Sequence, residues 1–311
     1  MSTAATVPPT TELELEGDEA LETLRSVGAR PLLVRAFVRF RFADGFSHSR
    51  ALAFQFVLTL LPGLIAVVAL AGVLGQQTFT DVLTGTVEEV SPGPSSEVLT
   101  QALEQGSGSG HPGATALVLG SIAALVGAAG AMGQIERGSN RIYGVERDRP
   151  ATRKYLVATG LALTAGAATI AAFVLVVFGS QLGDSLGNAK GWTDIGQAAW
   201  SIGRWPLGAA LIAVSVSLLF VVSPNRRQPE ASWLAFGSGI AVLLWFAFTG
   251  LLAVYIGISG SFGQTYGPLA GFIGLMLWAF LGSLSLFLGL SVAAQLEAER
   301  AGEPGPTRDP R

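Results

Sequence analysis

Residues 231 to 257 read ASWLAFGSGIAVLLWFAFTGLLAVYIG and contain no charged side chain. A helix needs about 20 mostly apolar residues to cross the hydrocarbon layer of a bilayer, which is roughly 30 Å thick. Backbone polar groups inside lipid must find partners within the protein, and a helix pairs all of its own. The stretch therefore predicts a transmembrane helix.

Similar apolar windows recur along the chain. Its 311 residues are 50% hydrophobic and 13% charged, with a mean hydropathy of +0.51, which is too apolar for a soluble domain of this size. Polar residues within the windows are too sparse for the alternating pattern of a membrane β-barrel. We expect an all-α polytopic membrane bundle with six transmembrane helices, at approximately 51 to 75, 113 to 135, 155 to 179, 204 to 223, 231 to 257 and 267 to 294.

The distribution of lysine and arginine predicts the orientation of these helices. Basic residues are retained on the cytoplasmic side during insertion. Of the 19 basic residues, 17 lie before the first window, in 136–154, in 224–230 or in the C-terminal tail. The loop 76–112 lies between the first two windows and carries acidic residues but no basic one. Both termini are therefore expected in the cytoplasm.

The flanking segments differ from the windows in composition. The run ELELEGDEALE lies in an acidic, polar segment that lacks the apolar surface needed to order by itself. We expect a disordered N-terminal tail over 1–29, a six-helix transmembrane domain over 30–296 and a disordered cytoplasmic tail over 297–311.

The segment directly before the first window has a helical pattern of its own. Pro31 suits the first turn of a helix, and Arg35 and Arg39 occupy one helical face. A second face carries Leu32, Leu33, Ala36, Phe37 and Phe40. The pattern indicates either an interfacial helix with its basic side toward anionic headgroups, or an N-terminal extension of the first transmembrane helix.

Few residues point to catalysis. The chain has no cysteine and no GxxxxGK[ST] phosphate loop, so neither thiol chemistry nor ATP hydrolysis is supported. His48 and His111 fall on opposite sides of the membrane in the predicted topology. No carboxylate lies in the middle of a window, where a proton or cation relay would need one. We expect no enzyme activity, no metal and no cofactor.

A dense basic block, GSNRIYGVERDRPATRKY at 138–155, separates the second and third windows. The topology rule explains most of its charge. Together with the basic pair in 224–230, it also forms a candidate rim for an anionic headgroup, because guanidinium groups suit phosphate. The candidate headgroup-binding residues are Arg141, Arg147, Arg149, Arg153, Lys154, Arg226 and Arg227.

Neutral residues inside the windows form the second candidate set. Gln55 and Thr59 lie in the first window. Trp245 and Trp278 lie near the middle of the last two windows, where an interfacial aromatic belt does not apply. These side chains are expected either to line an internal cavity or to fill space between helices.

Four runs together resemble a known family. They are RALAFQFVLTLLPGLIAV (50–67), QIERGSNRIYGVERDRPATRKYL (134–156), SPNRRQPEASW (223–233) and YGPLAGFIGLMLWAF (266–280). They are similar to the signature regions of the YihY/BrkB family of bacterial inner-membrane proteins. The resemblance implies a multi-pass plasma-membrane protein of six helices with both ends cytoplasmic.

The resemblance also suggests functions. The sequence departs from the family pattern at one place. Some members are called virulence factors, some were formerly labelled ribonuclease BN, and lipid or envelope-precursor transport has been suggested. The sequence lacks a metal-ligand cluster for nuclease chemistry. Where the family has a Gly-Ala-Glu-Leu type run, this chain has Gln295, with Glu297 two positions later. A role carried over from that family carboxylate is therefore in doubt here.

Two functions of different classes fit these observations. The leading one is binding or transport of an anionic lipid or envelope precursor, with membrane lipids as partners and no nucleic acid. The alternative is a non-transporting membrane scaffold that recruits envelope-assembly proteins through its basic loops and acidic tail. Either one is compatible with a homo-oligomer.

Overall fold

The structure is a computed structural model that describes residues 4–8, 17–73, 111–177, 179, 183, 193–258, 269–303 and 305. Within these residues the chain forms eight α-helices. They are α1 (Gly17–Val27), α2 (Ala29–Phe42), α3 (Gly45–Val73), α4 (His111–Ile142), α5 (Ala151–Val177), α6 (Asp194–Val222), α7 (Ala231–Ile258) and α8 (Ala270–Arg300).

Five of these helices are long and apolar enough to cross a bilayer. The segments are Leu117–Ile142, Ala151–Ala172, Ile195–Val222, Ala231–Ile258 and Ala270–Arg300. They match the last five predicted windows, which confirms a multi-pass helical membrane protein. The helix α3 covers most of the first predicted window. Its passage through the membrane, the total of six and the orientation stay predictions. Residues 76–110, in the predicted outer loop, lie outside the described part of the chain.

The chain divides into two compact units, each described by itself. The first comprises Met1–Gly45, Ile135–Leu244 and Ser285–Arg311. Within it α5 packs along α6. The hydroxyl of Ser215 in α6 donates to the carbonyl of Ala165 in α5 at 2.8 Å, so a polar side chain inside an apolar helix finds its partner across the helix pair.

Small residues bring α7 and α8 together within the first unit. A Cβ atom added to Gly237 would lie 2.7 Å from the Cβ of Ala293 and 2.8 Å from the carbonyl oxygen of Gly289. A Cβ atom added to Gly289 would in turn lie 2.6 Å from the carbonyl oxygen of Gly237. The two backbones therefore touch at a reciprocal glycine contact, which is how membrane helices approach most closely.

The second unit comprises Phe46–Gln134 and Trp245–Leu284. In it the glycines of α4 lie against α3, because an added Cβ on Gly120 would lie 3.1 Å from the Pro62 carbonyl oxygen. Residues of α3 and α8 share an apolar cluster that contains Ala53, Val57 and Ala279. A Cβ atom added to Gly127 would lie 3.2 Å from the Cα of Thr59, so the small residues of α4 allow a close contact with α3.

The N-terminal residues are more ordered than the sequence indicates. A disordered tail is predicted over 1–29, whereas the structure has α1 over Gly17–Val27 and an extended segment at residues 4–8. Ala4 and Val7 in this segment are 0% and 2% exposed. The acidic residues Asp18, Glu19 and Glu22 lie in α1, which packs against α2, and Arg300 of α8 donates to Glu19 at 3.2 Å. The composition of 1–29 could not reveal a docking site elsewhere in the chain.

The orientation of α2 differs from the interfacial pattern as well. Leu32, Ala36, Arg39 and Phe40 form its buried stripe, while Leu33 and Phe37 are exposed. The interfacial interpretation directs Arg39 toward headgroups, whereas in the structure its side chain is inside the protein. Its position is three residues after Ala36 and seven after Leu32, so it shares their helical face.

The C-terminal residues also depart from the predicted tail at 297–311. The helix α8 continues to Arg300, and Glu297 is 0% exposed. The described part of the C-terminal segment is therefore part of the folded first unit. The physical reason is that Glu297 and Glu299 pair with arginines from other segments.

Candidate functional site

Arg39 lies at the centre of a polar cluster in the first unit. Its Nε atom donates to the side-chain oxygen of Gln295 at 2.9 Å. Its Nη1 atom donates to the carbonyls of Ala5 at 2.9 Å and Ile142 at 3.1 Å. Its Nη2 atom donates to the carbonyl of Gly305 at 3.3 Å. Burial lowers the pKa of Arg39 to about 10, so the guanidinium remains charged at neutral pH.

A second buried guanidinium lies in the same cluster. Arg226 forms an ion pair with Glu297, and both side chains are almost completely buried. The guanidinium carbon of Arg226 lies 4.6 Å from the ring centroid of Tyr143, which is a cation–π contact. Burial, assisted by the charge of Glu297, raises the pKa of Tyr143, so the phenol stays neutral. We call Arg39, Tyr143, Arg226, Gln295 and Glu297 the arginine cluster.

Arg149 caps the C-terminal end of α6. Its guanidinium donates to the carbonyls of Val222, Ser223 and Pro224 at 2.7 to 2.9 Å. The last carbonyls of a helix lack partners within the helix and carry partial negative charge, so a cation is favourable there. Arg149 also pairs with Glu136 of α4 at 3.3 Å, with both side chains at or below 9% exposure. One arginine therefore joins the ends of α4 and α6.

Two asparagines connect the loops that follow those helices. The side-chain oxygen of Asn140 accepts from the backbone N–H of Asn225 at 2.7 Å, and the side-chain amide of Asn225 donates to the carbonyl of Arg147 at 3.1 Å. Asn140 also donates to Asp148 at 2.8 Å. Partial burial raises the pKa of Asp148, but the bond from Asn140 and the charge of Lys154 outweigh it and hold that pKa below its usual value. The loops after α4 and α6 are thus fixed to each other.

The extended N-terminal segment, residues 4–8, lies across this region, and we call it the strap. Its Ala4 N–H donates to the carbonyl of Arg141 at 3.2 Å, and its Val7 N–H donates to the carbonyl of Tyr143 at 3.1 Å. Gly144, next to these acceptors, has φ +71°, and an added Cβ would lie 2.6 Å from the Cα of Thr6. The glycine therefore allows both the turn after α4 and the close approach of the strap.

The seven predicted headgroup residues differ in their surroundings and fall into three sets. Arg149, Lys154 and Arg226 form ion pairs within the protein, and Arg149 and Arg226 are buried. Arg141 is half-buried, and its carbonyl accepts from the strap. The side chains of Arg147, Arg153 and Arg227 are exposed. We call these last three the exposed rim.

The four predicted cavity residues all lie in the second unit, at contacts between helices. A Cβ added to Gly127 would lie 2.6 Å from the hydroxyl of Thr59, and one added to Gly130 would lie 3.2 Å from the side-chain oxygen of Gln55. Trp278 packs edge-on against Trp245 with ring centroids 6.2 Å apart, and its Nε1 donates to Thr249 at 3.2 Å. These contacts fit the space-filling interpretation of the four side chains.

Apart from Arg149 and Arg226, which were predicted as headgroup contacts, the sequence pattern did not single out the residues that hold the first unit together. Arg39 lies within a buried helical stripe, and that spacing was visible in the sequence. Gln295 and Glu297 were noted only as a departure from a family pattern. Glu136 is 2% exposed and was visible as a carboxylate just after a predicted window. A charge at such a position signals an internal partner. Within the described residues, no group of three or more His, Cys, Asp or Glu could hold a metal ion.

Most of the chain matches a known protein family. The family model described as virulence factor BrkB matches residues 36–311, which cover α3 to α8 and the second half of α2. The chain belongs to the virulence factor BrkB family. No solved structure matches the chain.

Two proteins of similar sequence have different names. The ribonuclease-like protein YfkH of Bacillus subtilis is 28% identical over 268 residues, which cover 86% of this chain and 96% of the relative. The UPF0761 membrane protein IL2447 of Idiomarina loihiensis is 32% identical over 92 residues, which cover 30% of this chain and 32% of that protein. The name of the second relative agrees with the apolar helices seen here.

Proposed function

We propose that this BrkB family protein binds the headgroup of an anionic lipid or envelope precursor at the exposed rim, and moves that amphiphile within the membrane. The observation that carries the proposal is the fixed connection between the loops after α4 and α6, through Asn140 and Asn225. This connection holds the backbone of Arg147 against Asn225, two residues before Arg227.

The chemistry of the exposed rim supports an anionic ligand. Arg153 lies in the first turn of α5, which contains no acidic residue. Unpaired backbone N–H groups and the helix dipole favour an anion at such an end. Guanidinium groups add forked bonds to phosphate oxygens. Arg149 and Arg226 have partners inside the protein, so they are supports for the rim in this proposal and not ligand contacts.

The test compares lipid binding by matched charge variants. Each basic residue near an anionic membrane surface contributes about 1 kcal/mol. Native mass spectrometry of the purified protein should show a preference for phosphatidylglycerol over phosphatidylcholine. The triple variant R147Q/R153Q/R227Q should lose that preference by about 3 kcal/mol, or roughly a hundredfold in affinity.

A second triple variant provides the control. Arg25, Arg30 and Arg41 are also exposed, so R25Q/R30Q/R41Q removes the same charge elsewhere in the first unit. It should bind phosphatidylglycerol as the unmodified protein does. Equal binding by the rim variant and the unmodified protein would contradict the proposed site. Transport is assayed separately, by transbilayer movement of labelled phosphatidylglycerol in liposomes, and movement no faster than in empty liposomes would exclude it.

The non-transporting scaffold remains the contrasting proposal. It predicts that crosslinking in native membranes captures the same envelope-assembly proteins reproducibly, whereas a lipid-binding protein captures lipid. Absence of enzyme activity also stays a prediction, and RNA cleavage by the purified protein would contradict it.

A further inference from the structure

The strap contacts two of the buried arginines of the first unit, Arg39 and Arg226. Arg39 donates to the Ala5 carbonyl at 2.9 Å, and Arg226 donates to the Pro8 carbonyl at 3.3 Å. Two guanidinium groups from distant parts of the sequence therefore meet the same short segment. The strap contributes backbone oxygens to them and no charged side chain.

The hydrogen bonds of Arg39 go to neutral oxygen atoms. Within the described residues, its hydrogen-bond acceptors are the Gln295 side chain and three backbone carbonyls, all uncharged. A buried cation is costly unless opposite charge balances it. Glu297 and Glu299 stabilise the charge from a distance, yet burial still dominates the pKa of Arg39. The site therefore favours an acceptor that carries negative charge.

The strap is held by hydrogen bonds that other donors and acceptors can replace. Two backbone N–H groups of the strap pair with α4 and the residue that follows it, and Ala4 and Val7 provide small buried side chains. The Thr6 hydroxyl donates to the Gly144 carbonyl at 3.3 Å. These three bonds are between neutral groups, and the bonds from Arg39 and Arg226 to the Ala5 and Pro8 carbonyls carry charge on the donor only. Bonds between a guanidinium and phosphate carry opposite charges on donor and acceptor.

We propose that the strap is a removable cover over a buried anion site, and that Arg39 and Arg226 bind a phosphate-bearing anion when the strap leaves. Phosphate oxygens replace the Ala5 and Pro8 carbonyls as acceptors. The phosphate belongs either to a lipid headgroup or to an ion free in solution. This site lies under the strap and is separate from the exposed rim, so it does not depend on lipid binding there.

The absence of cysteine from the chain allows a direct test by thiol labelling. Val7 is buried and Thr6, its neighbour, is exposed. In purified protein, the Val7→Cys thiol should react with maleimide at least about tenfold more slowly than the Thr6→Cys thiol, because it reacts only while the strap is open. Phosphatidic acid in mixed micelles should raise the Val7→Cys rate by about threefold or more, and leave the Thr6→Cys rate unchanged.

The arms of the experiment distinguish the sources of phosphate. Inorganic phosphate is compared with sodium chloride of equal ionic strength, and phosphatidic acid is compared with phosphatidylcholine. Acceleration by both phosphate probes assigns the site to phosphate itself, and acceleration by phosphatidic acid alone assigns it to a lipid headgroup. Equal labelling of Val7→Cys and Thr6→Cys without anion, or no acceleration by either probe, overturns the proposal.

A deletion provides an independent measurement that leaves both arginines in place. Removal of residues 2–8 should tighten binding of phosphatidic acid or inorganic phosphate by about tenfold in native mass spectrometry, since no cover then competes. Adding Arg39→Gln to the deletion should abolish that gain. A deletion variant that binds both probes no better than the full chain contradicts the removable cover.

Discussion

Arg226 and Arg227 are adjacent in sequence and have opposite environments. The side chain of Arg226 is 6% exposed and pairs with Glu297, whereas Arg227 is exposed. Removing one partner of a buried ion pair leaves the other charge uncompensated, which costs far more than removing an exposed charge. These neighbours therefore make a matched pair for testing the arginine cluster.

We expect Arg226→Gln to lower the free energy of unfolding by about 3–5 kcal/mol, and Arg227→Gln to change it by less than about 0.5 kcal/mol. Thermal unfolding of the detergent-purified variants measures both. The double variant R226Q/E297Q should recover part of the loss, because it removes the uncompensated carboxylate. Similar losses for the two single variants would show that the Arg226–Glu297 pair has no special role.

The sequence could predict which residues are basic but not which are buried. Arg35 and Arg39 are four residues apart on α2, so the pattern assigns both to one polar face. In the structure Arg35 is half exposed and pairs with Glu299, while Arg39 is fully buried. The difference comes from acceptors at positions 5, 142, 295 and 305. Such long-range partners leave no local pattern in a sequence.

At the scale of helices, local composition predicts much more. The apolar windows locate α4 to α8 because length and hydrophobicity are local properties that the bilayer selects directly. The helix α1 was not expected, since the composition of its segment is acidic and polar, whereas its packing against α2 and the burial of Ala20 depend on residues elsewhere in the chain. Helix pairing depends on which glycines face a neighbour, and composition alone does not show that.

Two glycines of α7 allow the close contact between α7 and α8 to be tested. An added Cβ on Gly237 would meet α8 at 2.7 Å, whereas one on Gly239 would meet nothing within 4 Å. Gly237→Ala should therefore destabilise the protein by about 1–3 kcal/mol, because the close α7–α8 contact has no room for a methyl group. Gly239→Ala should be neutral or stabilising by up to about 1 kcal/mol, because it favours the helix. The measurement is the apparent melting temperature of each variant in the same detergent. Equal shifts for Gly237→Ala and Gly239→Ala would contradict the close contact between α7 and α8.

At the scale of the whole molecule, charge distribution and apolar length together predict how the chain lies in the membrane. Nearly all basic residues fall in segments that alternate with the loop 76–112 and the loop before α6. The positive-inside rule then predicts that the exposed rim and the arginine cluster lie on the cytoplasmic side. Both proposed anion sites depend on this predicted orientation, which puts them on the side of the anionic inner leaflet.

The most direct test of this arrangement is the accessibility of single cysteines in intact cells. The variants Ser107→Cys, Gly187→Cys and Thr307→Cys place one thiol in each of two predicted outer loops and one in the C-terminal tail of a chain that has no cysteine of its own. A membrane-impermeant maleimide should label the first two in intact cells and the third only after permeabilisation. Labelling of Thr307→Cys together with Gly187→Cys in intact cells would place the two segments on the same side and contradict the account.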